Sequence, residues 1–226
     1  MLDGGVFGAD GAAVALAQHR GDRVVQAAPA TVRRDDMPPT PGAWLFGGWL
    51  QRHFGHFMLY GLGRLWALEA LRGELAGVVF LRLPDGAPRG PAHSPLRVPA
   101  MRETLALLGL GAELPCRIVE APERFARLAV PRQVIFGAGA PAEENAAFLA
   151  TLRRLAAVPR VPDGLLLPRL YVSRRRLAPT LGGLLFEDLI EANLMAEGYA
   201  VIHPERLPIA GQVAAADRAL GRAAGD

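Results

Sequence analysis

Between Leu165 and Gln212 the chain passes through a short apolar segment, a cluster of arginines, a helical pattern and a second apolar segment, an order that constrains the fold more than any other feature. Leu165, Leu166, Leu167, Leu170, Tyr171 and Val172 read as a buried strand interrupted by Pro168, and this strand leads directly into Ser173, Arg174, Arg175 and Arg176. Residues 187–197 then read as a helix with Leu189, Ile190 and Leu194 inward, closed by Gly198, and residues 199–202 as the next strand. Strands alternating with helices point to α/β architecture. Open α/β sheets bind ligands just beyond the carboxyl ends of their strands, and the forked donors of a guanidinium suit a phosphate or diphosphate there. A solvated basic turn after the strand accounts for the same residues, and spacing alone leaves both readings open.

Upstream the alternation continues. Residues 1–43, rich in Gly, Ala and Pro, read as an extended entry segment with a strand at 23–27 and a turn-forming run through Pro38, Pro39, Pro41 and Gly42. An aromatic and glycine-rich stretch from Trp44 leads to a helical stripe over 56–71, in which Gly61 and Gly63 oppose a helix. Residues 77–83 are an apolar, β-branched strand closed by Pro84, Asp85 and Gly86. Residues 86–100 form a loop and 101–110 a helix ending at glycine. Strands follow at 116–120 and 134–136, and Pro141 opens a helix to Leu155 with Glu143 and Glu144 in its first turn. Pro159, Pro162 and Gly164 mark a boundary between two halves, 1–160 and 161–226. A last helix is expected over 209–220.

The 226 residues are 51% hydrophobic and 21% charged, as in a globular protein with a real core. All 25 basic residues are Arg, and they are mixed with acids to a net charge of only +3, which argues against a nucleic-acid arm. Cys116, the single cysteine, excludes an internal disulfide and reads as a small buried apolar residue. Asp3 and Asp10 interrupt any signal-like start, and no run approaches the roughly 18 apolar residues of a membrane span. A cytoplasmic protein of bacterial type is the expectation, with peripheral membrane association left open.

His53 and His56, three residues apart, share a helical face. Zinc needs three or four converging ligands, and His93 and His203 stand in unrelated contexts, so a general base is the better functional reading of His56. A histidine packed among Trp49, Phe54 and Phe57 is the plain alternative. The acidic pairs Asp35-Asp36 and Glu187-Asp188 lack the Asp-any-Asp spacing that holds a metal on a diphosphate. Phosphate-cradling loops with a lysine, Gly-x-Ser-x-Gly elbows and Gly-x-Gly-x-x-Gly turns are also missing.

Gly47-Gly48-Trp49 through His53-Phe54-Gly55-His56-Phe57 to Gly63-Arg64-Leu65-Trp66-Ala67-Leu68, followed downstream by Leu170-Tyr171-Val172-Ser173-Arg174, resembles the family 61 glycosyltransferases in their bacterial capsular-polysaccharide-type branch. Phe186-Glu187 stands where that family has Asn-Glu, and Glu197-Gly198-Tyr199, His203-Pro204-Glu205, Leu207 and Gln212 continue the likeness. The resemblance implies an inverting, metal-independent transferase of polysaccharide biosynthesis, without a cofactor. It implies an α/β fold of two Rossmann-like halves of GT-B type, an acceptor-side domain over 1–160 and a partial, incomplete nucleotide-sugar-binding domain over 161–226, with a nucleotide-sugar donor and a saccharide acceptor. It assigns Ser173 and Arg174 to the donor diphosphate, Glu187 and Gln212 to the donor domain and His56 to the base. Arg64 supports the helix or cleft wall, and Arg175 and Arg176 are left to solvent. Tyr60 stands where the branch carries an acidic residue, and the Gly-rich segment expected after Gln212 does not follow. A chain truncated at its C-terminus is therefore expected, with a non-catalytic remnant that binds a nucleotide or a partner protein as the alternative.

Overall fold

The computed structural model describes residues 5–19, 37–83, 93–134, 141–156, 169–177, 183–212 and 215. The chain divides into two compact units, Met1–Leu152 and Arg153–Asp226. The fold is mixed α/β with parallel strands, compatible with a Rossmann-like arrangement.

In the first unit, β1 (Thr40–Leu50), β2 (Leu75–Arg82), β3 (Cys116–Val119) and β4 (Phe125–Ala129) form a sheet of order β3-β2-β1-β4, with every pairing parallel. The strands β1 and β2 are central, and Leu45–Leu50 and Gly77–Phe80 are buried without alternation, as expected for strands covered on both faces. Strand β1 was not legible as a strand because of its glycines. A Cβ at Gly47 would collide with the ring of Phe80, and Gly48, at φ +114°, sits in an irregularity of the β1–β2 register.

The continuous helix expected over 56–71 is not formed. In its place are a turn of α-helix, α1 (Phe54–His56), a π-helical turn (Phe57–Gly61), a 3₁₀ turn (Leu65–Ala67) and α2 (Leu68–Leu71). Close approach explains the break. A Cβ at Gly63 would collide with the carbonyl oxygen of Val134, whose N–H donates to the Gly63 carbonyl at 2.8 Å.

Helix α3 (Pro99–Leu107) matches expectation and ends at Gly109, φ +76°; α4 (Ala142–Ala156) also matches. The fourth strand is β4 and not 134–136, where Val134 is outside any strand and the other two residues lie outside the described set. Only residues 120–124 separate β3 from β4, against the dozen or more usual between parallel strands. This connection is clipped by Arg117, which makes a bidentate pair with Glu123 and lies over the rings of Trp44 and Phe125. The expected strand at 23–27, the turn at 84–86 and the boundary at 159–164 lie outside the described residues, as does most of the expected last helix, of which 209–212 are helical.

The second unit contains a β-α-β element: β5 (Leu170–Val172), α5 (Glu187–Ala196) and β6 (Ala200–Ile202), with β5 and β6 parallel. Its helix differs from expectation at Leu189, which faces outward, and in the two carboxylates that share the inward face with Ile190 and Leu194. Glu187 and Glu191 are buried, Leu189 is 59% exposed, and Ile190 and Leu194 are half-buried. The carboxylates face inward because they have donors there.

Candidate functional site

The end of β5 is built by those two carboxylates. Ser173 is fully buried, with its N–H donating to the Ile202 carbonyl and its hydroxyl donating to Glu191 Oε1 at 2.5 Å. Glu191 Oε2 accepts from Arg175 Nη1 at 3.2 Å, and His203 Nε2 stands 3.9 Å from Oε1. The Ser173 hydroxyl, aided by Arg175 and His203 and against the effect of burial, holds the Glu191 carboxyl below the usual carboxylate range. One turn earlier, Glu187 Oε1 accepts from the Tyr171 hydroxyl and from the backbone N–H of Arg174, both at 2.9 Å. Burial, reinforced by Glu187, pushes the Tyr171 phenol up. Glu187 Oε2 is buried and, among the described residues, has no hydrogen-bond partner.

This lattice fixes the backbone of 173–175 and leaves Arg174, Arg175 and Arg176 on the surface. A cleft of about 260 Å³ lies between the arginines and the start of α5, lined by Arg174, Arg175, Leu184, Phe186, Glu187 and Asp188. It combines guanidinium groups with a helix N-terminus, two features that favour an anion, but Asp188 in the first helical turn is also exposed there. Phe186, just before the helix, has φ +58°, an uncommon conformation for a residue of this size.

A second candidate region follows the carboxyl end of β1. Chain connections leave β1 toward β2 on one side and reach β4 on the other, so β1 lies at the point where strand order reverses. Gln51 Nε2 lies 2.5 Å from His56 Nδ1, and the His56 N–H donates to His53 Nδ1 at 3.3 Å. The Tyr60 ring is 5.7 Å from that of His56 and 5.6 Å, edge-on, from that of the buried His19. Among the described residues His56 Nε2 makes no hydrogen bond. For Nε2 to accept a proton, Nδ1 must carry the ring hydrogen and the Gln51 amide must present its oxygen, the rotated orientation of the same group.

Arg64 is 1% exposed, and its guanidinium donates to the carbonyls of Leu16 at 2.5 Å and Gln18 at 2.7 Å and to Gln133 Oε1 at 3.3 Å. It passes beside Gly48 and lies 5.4 Å from the Phe46 ring centre. It is a structural tie.

Ser173, Arg174 and Glu187 therefore meet at one strand end. His56 lies in the first unit. Gln212 is engaged elsewhere in the second, where its amide donates to the carbonyls of Pro204 and Leu207 and closes a 3₁₀ turn. Arg175 is paired with Glu191 instead of being left to solvent, and His203 belongs to the same group. Glu191 and Tyr171 were missed from the sequence, although the four-residue spacing of Glu187 and Glu191 on one helical face is a signal that could have found them. Cys116 is half-buried, and burial pushes its thiol up to about 12, which leaves little thiolate near neutrality. Among the described residues no group of three or more His, Cys, Asp or Glu could hold a metal ion, and no helix is long and apolar enough to cross a membrane. No family model, curated protein or solved structure matches this chain.

Proposed function

We propose that the chain is a glycosyltransferase of the inverting, two-domain GT-B kind, moving a sugar from a nucleotide-sugar donor to a saccharide hydroxyl in polysaccharide biosynthesis. One observation carries the reading. Each half of the separated motif pair falls directly after the carboxyl end of a parallel strand, His53 to Phe57 after β1 and Ser173-Arg174 after β5, where open α/β sheets take their ligands. In this reading Arg174 and the start of α5 receive the donor diphosphate, and the Glu187 and Ser173 bonds hold that backbone ready. His56 Nε2 accepts the proton of the acceptor hydroxyl as its oxygen bonds to the anomeric carbon; the bond to the diphosphate oxygen breaks and the nucleoside diphosphate leaves with that electron pair.

A second reading, binding of a nucleotide or partner protein without transfer, is favoured by Tyr60 beside His56, at the position where the resembled family carries an acidic residue.

Calorimetry with a panel of nucleoside diphosphates and their sugars, followed by assay of transfer, separates the two. The transferase reading expects binding of at least one sugar nucleotide and turnover with it; binding without turnover leaves the second reading, and no binding sinks both nucleotide readings. Arg174→Ala is expected to weaken donor binding by about 1.5–3 kcal/mol. His56→Ala is expected to abolish transfer and leave donor affinity nearly intact, and equal loss of both would show a structural histidine.

A further inference from the structure

The inward face of helix α5 carries two carboxylates, with Ile190 and Leu194 half-buried beside them, and Leu189 and Met195 stand exposed. Glu187 and Glu191 occupy its buried face, held by Tyr171, Ser173, the Arg174 N–H and Arg175, and the helix cannot rotate without removing both carboxylates from these donors. Leu189, on the other side of the helix, is thereby turned to solvent. Leu189 is 59% exposed, and the segment leading into the helix adds Leu184, Leu185 at 86% and Phe186 at 71%. At 100° per residue, Leu189, Ala192 and Ala196 align on one exposed stripe of the helix. An apolar surface of this kind, concentrated at one helix end, marks an interaction site.

Its neighbours define the partner. Across the cleft from Leu184 and Phe186 stand Arg174 and Arg175, followed by Arg176, all three exposed. Among the described residues the negative groups at this rim are Asp188, exposed, and Glu187 and Glu191, which are buried and already accept hydrogen bonds. Exposed leucine and phenyl side chains beside a row of arginines match a surface that is apolar inside and anionic at its boundary. We propose that residues 184–189 and Arg174–Arg176 form a peripheral docking surface for an anionic lipid bilayer, with Leu185 and Phe186 entering the acyl boundary and the arginines at the phosphate headgroups. The cleft at the end of β5 then opens at the membrane surface. This inference shares Arg174 and the start of α5 with the proposed donor site but needs neither a sugar nucleotide nor His56, so its test is made without nucleotide and at residues that the donor reading does not use.

The test is flotation of the full chain with vesicles of phosphatidylcholine alone and of phosphatidylcholine with phosphatidylglycerol. Binding is expected to the anionic vesicles, falling as salt is raised. The double substitution Leu185→Ser, Phe186→Asn is expected to weaken it about tenfold or more, and Arg176→Gln by about fivefold. Asparagine tolerates the positive φ of position 186, so an unchanged thermal midpoint is expected. Should the midpoint move, Leu185→Ser alone carries the same test. Failure of the native chain to float with anionic vesicles overturns the proposal, as does equal flotation of the variants. Self-association in sedimentation velocity that these substitutions abolish, without vesicle binding, would assign the surface to a second copy of the chain and overturn it equally.

Discussion

The ends of β1 and β5 use buried charge in opposite ways. Beyond β1 a cation is buried: Arg64 lies among apolar side chains, is passed by a glycine and is used to hold the carbonyls of Leu16 and Gln18. Beyond β5 two carboxylates are buried and the arginines remain outside. A guanidinium has five donors and no acceptor, so its burial consumes carbonyl oxygens and serves to tie chain segments together. A carboxylate only accepts, so its burial consumes hydroxyl and backbone donors and fixes a strand end against a helix. The first arrangement is supported by an extensive apolar core. The second replaces much of such a core, since the buried described residues of the second unit include Ser173, Glu187 and Glu191 with only Leu155, Ile209 and Ala215 as apolar members.

The largest effects are expected where this contrast is sharpest. Phe46→Ala, in the middle of β1 and 1% exposed, is expected to cost about 3–5 kcal/mol in chemical denaturation. Leu189→Ala, a similar truncation on α5, is expected to change stability by less than about 0.5 kcal/mol because the side chain is already in solvent. A comparable loss at both positions would mean that α5 buries its leucines after all, and the contrast would collapse.

Next in size is Arg64→Met, which keeps much of the apolar stem and removes the donors. Hydrogen bonds from a charged group contribute about 1.5–3 kcal/mol each. With the Leu16 and Gln18 carbonyls both losing a donor, a loss of about 3 kcal/mol is expected, and 5–19 should become accessible to limited proteolysis. Stability unchanged within about 0.5 kcal/mol would show that the buried cation is dispensable. Because Arg64 lies over Phe46, the two losses should not add.

These residues also show what the sequence could reveal. The elements β2, β3, α3, α4 and the β5-α5-β6 alternation follow from apolar runs and from Gly or Pro at their ends. Strand β1 does not, because Gly42 and Gly47 are selected by close approach of the Ala76 methyl and the Phe80 ring, and Gly48 by its φ of +114°, none of which periodicity contains. The helix over 56–71 failed for the same reason at Gly63. Strand β4 was hidden by its sequence, Phe-Ala-Arg-Leu-Ala, with exposed Ala126 and Arg127 at the sheet edge. For α5, Ile190 and Leu194 share the inward face with Glu187 and Glu191, and the residues alone leave open whether carboxylates there are buried or Leu189 is. The choice depended on donors from Tyr171 and Ser173, which are near only once β5 is paired. At the candidate site, Ser173, Arg174 and Glu187 were legible together, whereas Glu191, His203 and the Gln51–His56 contact were not.

The smallest and most selective test concerns acid. Glu191 is depressed by the Ser173 hydroxyl first and by Arg175 and His203 after it, and Glu123 in the first unit is depressed by Arg117 first and by Thr40 after it. A carboxylate with a lowered folded pKa contributes stability that is present above its unfolded value and is lost as pH falls through the folded value. Both units should therefore loosen on acidification from pH 6 to pH 3, but through different residues. Glu191→Gln keeps an oxygen for the Ser173 hydroxyl and removes the titrating group. In amide exchange, corrected for the intrinsic rate at each pH, this variant is expected to lose less protection over 187–196 than the native chain on going from pH 6 to pH 3, starting from a lower value because the Arg175 pair is gone. Protection over β1 and β4 should fall in both proteins alike, since Glu123 is unchanged. An equally steep acid loss over α5 in the variant would show that Glu191 does not carry the acid response of the second unit, and that its bond to Ser173 survives protonation.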